Sequence, residues 1–240
     1  MDTSKTKDRF KDIEWASQIK DCTLGGLGGI NSWVALYLGR IGHSIIGYDM
    51  DIVEDVNIAG QHYGNEHIGA SKSRATRDIL VEYCGHYDYL VLNEFTEDSD
   101  VTAYCFSGFD NMAARKLMFE KWKEIGNDNK IFIDGRLLAE SGQIYFVTKG
   151  MEEQYEETLF EDSLVEPVQC TAKATTHCGA MIASLIVAGF NNHICNTIHE
   201  TIVRPLPFSM EFHLPTLSFE QTIKKEKTEE CIITQEDLQV

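Results

Sequence analysis

The stretch Gly25-Gly26-Leu27-Gly28-Gly29-Ile30-Asn31-Ser32, followed by Gly47-Tyr48-Asp49-Met50-Asp51, decides the fold. Gly26-x-Gly28 allows a tight turn in which backbone can approach a phosphate, and the helix opening after it offers free amides and a positive dipole end. Asp49 closes an apolar run at 44–48. It lies about 20 residues past the turn, where an acid can bond a ribose hydroxyl. Asn31 replaces the third glycine of the pattern; it tolerates left-handed backbone but packs less closely. The strand expected ahead of the turn is short, since Cys22-Thr23-Leu24 follows the polar Lys20-Asp21.

Outward from this turn, apolar strand-like runs alternate with helical patterns, as in a parallel sheet covered by helices on both faces. Strands are predicted at 44–48, 87–92, 103–107 and 130–134, and helices at 30–41, 71–83 and 111–125. In the last of these helices Met112, Leu117, Met118 and Trp122 approximate one apolar face. Past residue 140 the pattern changes. A strand is read at 143–147, a strongly acidic solvated helix or loop at 151–158, and a buried helix at 172–190. Runs at 198–203 and 208–213, bounded by prolines 205, 207 and 215, read as an antiparallel pair. The expected fold is α/β: a Rossmann-like, mostly parallel sheet flanked by helices, with a C-terminal antiparallel strand extension. One domain is expected over 1–219, with its nucleotide core at about 20–150, its elaboration at 151–219 and a charged tail at 220–240.

A net charge of −17 over 240 residues argues against a nucleic-acid surface, which needs clustered Lys and Arg. Seven cysteines, at 22, 84, 105, 170, 178, 195 and 231, form no CxxC pair. The odd count fits reduced thiols in a cytoplasmic protein. The first 20 residues lack an apolar signal core, and the longest apolar stretch, 180–190, falls short of a membrane span. No membrane association and no zinc are expected.

Further clusters accompany the turn: DMDIVEDVNIAGQ from Asp49, IGASK from Ile68, FSGFDN from Phe106 and IDGRLLAESGQIYFV from Ile133. In order and spacing over residues 20–190 they resemble the ThiF/MoeB-like superfamily, which includes the ubiquitin-activating enzymes. The resemblance implies an ATP- and magnesium-dependent adenylyltransferase. It would activate a carboxylate, the C-terminus of a small ubiquitin-like protein or of a peptide, as an acyl-adenylate with release of pyrophosphate. It implies a nucleotide pocket drawn from Gly26, Gly28, Gly29, Asp49, Asp51, Asn57, Gln61 and Lys72. Asp49 matches the ribose acid, and Lys72 matches the point charge on the phosphates. Asp110 matches the acid that holds magnesium. Asn57 and Gln61 match the polar positions beside the γ-phosphate. A homodimer is implied as well, with the 172–190 helix and the C-terminal strand pair as its face.

The chain departs from the pattern at Gly60, where the family carries an arginine that steadies the phosphates. Losing such a donor can cost orders of magnitude in rate. Arg136, after a predicted strand at the sheet edge, and Arg9, near the N-terminus, are the candidates to replace it; an ordinary ion pair competes for both. Cys170, in Pro167-Val168-Gln169-Cys170-Thr171 with Lys173 nearby, resembles the thioester-forming cysteine of ubiquitin-activating relatives, against the alternative of a packed thiol. Two other readings compete for the whole chain. The first is a scaffold or partner subunit of reduced or no activity, favoured by Gly60. The second is a nicotinamide-dependent oxidoreductase, favoured by the glycine turn alone.

Overall fold

The computed structural model describes residues 10, 12–85, 89–161 and 175–223. Eight strands form one sheet: β1 (Asp21–Gly25), β2 (Ser44–Tyr48), β3 (Tyr89–Leu92), β4 (Tyr104–Ser107), β5 (Ile131–Leu138), β6 (Ser141–Val147), β7 (Ser209–His213) and β8 (Ser218–Thr222). Their order is β3-β2-β1-β4-β5-β6-β7-β8. β1 to β5 pair in parallel and β6 to β8 are added antiparallel. The strand order reverses between β1 and β4, the point where ligands bind in open α/β sheets. β1, five residues long like β2, is central: Cys22, Thr23 and Leu24 are wholly buried between two parallel neighbours.

The helices are α1 (Asn31–Ile41), α2 (Lys72–Cys84), α3 (Met112–Lys123), α4 (Glu152–Glu156) and α5 (Thr176–His199). α1 buries Val34, Ala35 and Leu38, and it stops at Gly42, whose φ of 109° lets its amide cap the Leu38 carbonyl at 3.0 Å. Asn111 caps the start of α3 by accepting the Ala114 amide at 2.8 Å. At the other end of α3, the Lys130 ammonium bonds the carbonyls of Trp122, Lys123 and Ile125 at 2.6–3.0 Å. One core lies where α1 and α5 meet the sheet, around Leu24, Val34, Ile133, Ile182 and Phe190. A second, around Met118, Phe119, Trp122, Phe132 and Tyr155, joins α3 and α4 to β5 and β6. Trp122 and Phe119 are fully buried there, and truncating a residue of that size to alanine costs about 3–5 kcal/mol.

Four expectations are corrected. The buried face of α3 is Arg115, Met118, Phe119 and Trp122, while Met112 and Leu117 are only part-buried. The acidic segment is not simply solvated, because Met151 and Tyr155 anchor it in the second core. Residues 198–203 form no strand: α5 runs to His199 with Ile194 and Cys195 buried, and β7 pairs antiparallel with β6 and β8. β8 also crosses the boundary read at 219/220, so the sheet extends to Thr222. α5, at 24 residues, is long and apolar enough to cross a membrane by length and composition, and 61% of its most apolar window is buried inside the protein.

Candidate nucleotide site

The glycine turn joins three strand ends. Gly26 has φ +74°, and a Cβ there would stand 2.9 Å from the Gly108 carbonyl oxygen and 3.0 Å from the Phe109 Cα. A side chain would therefore push apart two backbones that now touch. The Gly26 amide donates to Tyr48 at the end of β2, and the Gly108 amide donates to Gly25 at the end of β1, both at 2.8 Å. Beyond the turn, the amides of Gly28, Gly29, Ile30 and Asn31 meet no acceptor among the described residues. They open α1 and aim its dipole at the same space, as an anion site requires. A Cβ on Gly28 would meet nothing nearer than Gln61 Nε2 at 3.9 Å, so the cradle is open. Asn31 has a job that glycine could not do: its Nδ2 donates to the carbonyls of Gly25 and Phe106, each at 3.0 Å, tying β1 to β4.

Asp49 follows β2, and its side chain is only 7% exposed. Its Oδ2 accepts the Leu27 amide at 2.7 Å and its Oδ1 accepts the Asp51 amide at 2.8 Å. Burial raises its pKa above the usual carboxylate range, opposed by the Lys72 charge and by the two amides. Lys72, the first residue of α2, is buried with its Nζ 2.7 Å from Asp51 Oδ2 and 4.0 Å from Asp49 Oδ2. Asp51 is 59% exposed, so the ammonium rests on a solvated partner that an incoming phosphate can replace. Tyr63, unnoticed in the sequence, closes this unit from the other side. Its buried hydroxyl donates to the Leu27 carbonyl at 2.6 Å and lies 3.2 Å from Thr76 Oγ1. Both polar groups of Leu27, in the middle of the turn, are thus fixed.

Asn57 turns inward on its own 3-10 turn, where its Oδ1 accepts the Glu54 amide at 2.8 Å. Gln61 leans toward Gly28, and its buried Oε1 has no hydrogen-bond partner among the described residues. Gly60 is buried where α5 begins: a Cβ on Gly179 would stand 2.5 Å from the Gly29 carbonyl oxygen and 3.4 Å from that of Gly60, and Thr176 Oγ1 donates to the Ala59 carbonyl. α5 therefore packs against the backbone of both segments.

Asp110 lies in the loop after β4, exposed, with Asn111 Nδ2 3.5 Å away and no salt bridge among the described residues. Arg136, the expected substitute for the missing arginine, is engaged elsewhere. Its Nε donates to Asp134 at 2.8 Å, its Nη atoms donate to the Thr158 carbonyl and hydroxyl at 3.0 and 3.1 Å, and its guanidinium covers the Tyr145 ring at 4.5 Å. Arg115, also missed, is buried on α3 and donates to Asp134, to the Gly135 carbonyl at 3.0 Å and to the Phe109 carbonyl. Its signal was present: an arginine at the i, i+3, i+4, i+7 positions otherwise held by Met118, Phe119 and Trp122. Arg9, Cys170 and Lys173 lie outside the described residues. Cys84 and Cys178 have pKa values pushed up by burial to about 11, and the thiols of Cys22 and Cys105 are pushed up likewise, so none of these four is a ready thiolate. A separate groove of about 450 Å³ lies over β5 to β8, lined by Arg136, Gln143, Glu211, His213 and Glu220.

The donors present suit a nucleoside triphosphate with magnesium. Unpaired turn amides and Lys72 can meet phosphates, and Asp49 retains lone pairs for ribose hydroxyls. Among the described residues no three acids, histidines or cysteines cluster to hold a metal by themselves. A lone exposed carboxylate such as Asp110 is a ligand that magnesium takes together with phosphate oxygens. Ser107 Oγ and Gln61 Oε1, buried and without a partner among the described residues, lie on the elements that frame this space.

Solved structures with the same fold include PaaA in its selenomethionine form, at 14% identity and a TM-score of 0.69, covering 93% of this chain and 73% of PaaA. E. coli MccB with ATP aligns at 13% identity and a TM-score of 0.63, covering 92% of this chain and 66% of MccB. The microcin C7 biosynthetic enzyme MccB in complex with N-formylated MccA aligns at 13% identity and a TM-score of 0.59, covering 92% and 67%. No curated protein matches the chain in sequence. The chain thus spans about two thirds of MccB, and the likeness to these structures is one of fold. The ThiF family profile, in contrast, matches residues 16–233, and the chain belongs to the ThiF family.

Proposed function

We propose that this chain adenylates a carboxylate: ATP and a peptide or small-protein C-terminus become an acyl-adenylate and pyrophosphate. The observation that carries the reading is the convergence, at the C-terminal ends of the central parallel strands, of an open cradle of unpaired amides, the buried pair Asp49 and Lys72, and the exposed Asp110. A nicotinamide site has no use for Lys72 and Asp110. MccB, which shares the fold, is described with ATP and with N-formylated MccA.

In this reading Asp49 accepts ribose hydroxyls while the Leu27 and Asp51 amides hold its carboxylate in place. The amides of Gly28, Gly29, Ile30 and Asn31 cradle phosphate oxygens, and Lys72 leaves Asp51 to neutralise them. Asp110 would hold magnesium, which offsets charge building on the leaving pyrophosphate. An oxygen of the substrate carboxylate forms the new bond to the α-phosphorus, and the bond from that phosphorus to the oxygen bridging toward the β-phosphate breaks, its electron pair leaving with pyrophosphate. A carboxylate is ionised at neutral pH, so no base is needed, and positioning with charge stabilisation carries the rate. We assign the carboxyl partner to the groove over β5 to β8, and we retain Cys170 as acceptor of the acyl group and a second copy of the chain as partner.

Gly60 favours a second reading, a nucleotide-binding subunit without turnover, because Arg136 is committed to Asp134 and Thr158. Pyrophosphate exchange with labelled pyrophosphate separates the two. Exchange that Asp110→Ala abolishes and Cys170→Ala spares supports adenylation; ATP binding with no exchange for any carboxyl partner supports the subunit.

A further inference from the structure

Asp134 is fully buried at the end of the parallel part of β5, and donors from three elements converge on its carboxylate. Arg115 of α3 reaches Oδ1, while Arg136 of β5 and Tyr155 of α4 reach Oδ2 at 2.8 and 3.0 Å. Arg115 and Arg136 are only 8% and 14% exposed, and burying two cations beside one anion is costly unless their remaining donors are used. Arg115 spends them on the backbone on either side of the site. Nη1 is shared between Asp134 and the Gly135 carbonyl, and Nη2 reaches the Phe109 carbonyl, in the peptide unit whose amide belongs to Asp110. The same loop is held from the opposite side, because the Phe109 ring fills the space beside Gly25 and the Gly108 amide bonds the Gly25 carbonyl. An ion pair serving stability alone would not need this span.

We infer that Asp134 and Arg115 are positioning residues for Asp110: the buried carboxylate aims the rigid guanidinium fork at the Phe109 carbonyl and fixes the loop that presents the exposed acid. The link to metal rests on the proposed function; the link to the loop does not. The test therefore has two readouts on the full chain: amide hydrogen exchange over residues 107–112 without ligand, and ATP affinity with and without Mn²⁺. In Arg115→Lys, which keeps the charge and loses the fork, exchange at Gly108, whose amide bonds the Gly25 carbonyl in this same loop, accelerates about tenfold, as expected for one charge-assisted bond, while β1 and β5 stay protected. Metal-free ATP affinity is unchanged, and the gain conferred by Mn²⁺ falls by about the same factor. Tyr155→Phe, which removes one donor from Asp134 and keeps the packing, shifts the loop in the same direction by a smaller amount. A general packing defect would instead lower protection throughout α3 and leave the Mn²⁺ gain intact. Loop exchange at the wild-type rate in both variants overturns the inference. A wild-type chain that binds no ATP overturns the proposed function, while the loop readout still decides this inference.

Discussion

The two ends of the candidate site are built in opposite ways. At the ribose end the functional groups are also structural: Asp49 and Tyr63 clamp the two polar groups of Leu27, and Lys72, assigned to the phosphates, is anchored there by burial beside Asp49. At the phosphate end Asp110 stands in solvent and its loop is held from behind, by Gly25, Gly26 and Arg115. Substitution at the first end should therefore disturb folding and binding together, whereas at the second it should disturb chemistry alone.

Four variants test that contrast. The largest effect is expected for Asp110→Ala, which lowers pyrophosphate exchange by about 10²–10³-fold with an unchanged melting temperature. Lys72→Ala lowers exchange by about 10–100-fold, and denaturant unfolding shows a loss of about 1–3 kcal/mol because Asp49 loses its buried counter-charge. If the stability of Lys72→Ala matches that of Asp110→Ala, the contrast fails. Asp49→Asn weakens ATP binding about tenfold, the worth of a hydrogen bond to a charged group. It also removes a pH dependence whose sign follows from burial. The Asp49 pKa is raised above the ordinary 3.8, so the wild-type grip on ribose is lost as pH falls through that raised value, while the fold is destabilised as pH rises through it. Calorimetric titration of ATP from acid to neutral pH reads the first effect; a variant as pH-dependent as the wild type would show that Asp49 is not the group. Tyr63→Phe has the smallest effect, about 1 kcal/mol of stability from the lost bond to Leu27, with ATP affinity within about threefold.

The parallel half of the fold was legible because its elements carry their own signals. β2 lies where the apolar run 44–48 placed it, and α1 and α2 end on Gly42 and Gly85, both left-handed caps. The antiparallel half was less legible. All five residues of β8 are exposed, so no alternation marks this edge strand, while the apolar residues at 198–203 belong to the end of α5 and the turn after it. The site divides in the same way. Asp49, Lys72 and Asp110 sit in motifs, whereas the roles of Arg115 and Arg136 depend on Asp134, Tyr155 and Thr158, which only the fold brings together. Distances in sequence of 19 residues for Arg115 to Asp134 and 22 for Arg136 to Thr158 leave no local pattern to read.

Adenylation is tested most directly by exchange of labelled pyrophosphate into ATP, with the full chain, magnesium and a panel of peptides bearing free C-terminal carboxylates. Exchange is expected to depend on a peptide carboxylate, to disappear when that carboxylate is amidated, and to be lost in Asp110→Ala. The absence of exchange with every peptide would contradict adenylation, whether or not the chain binds ATP.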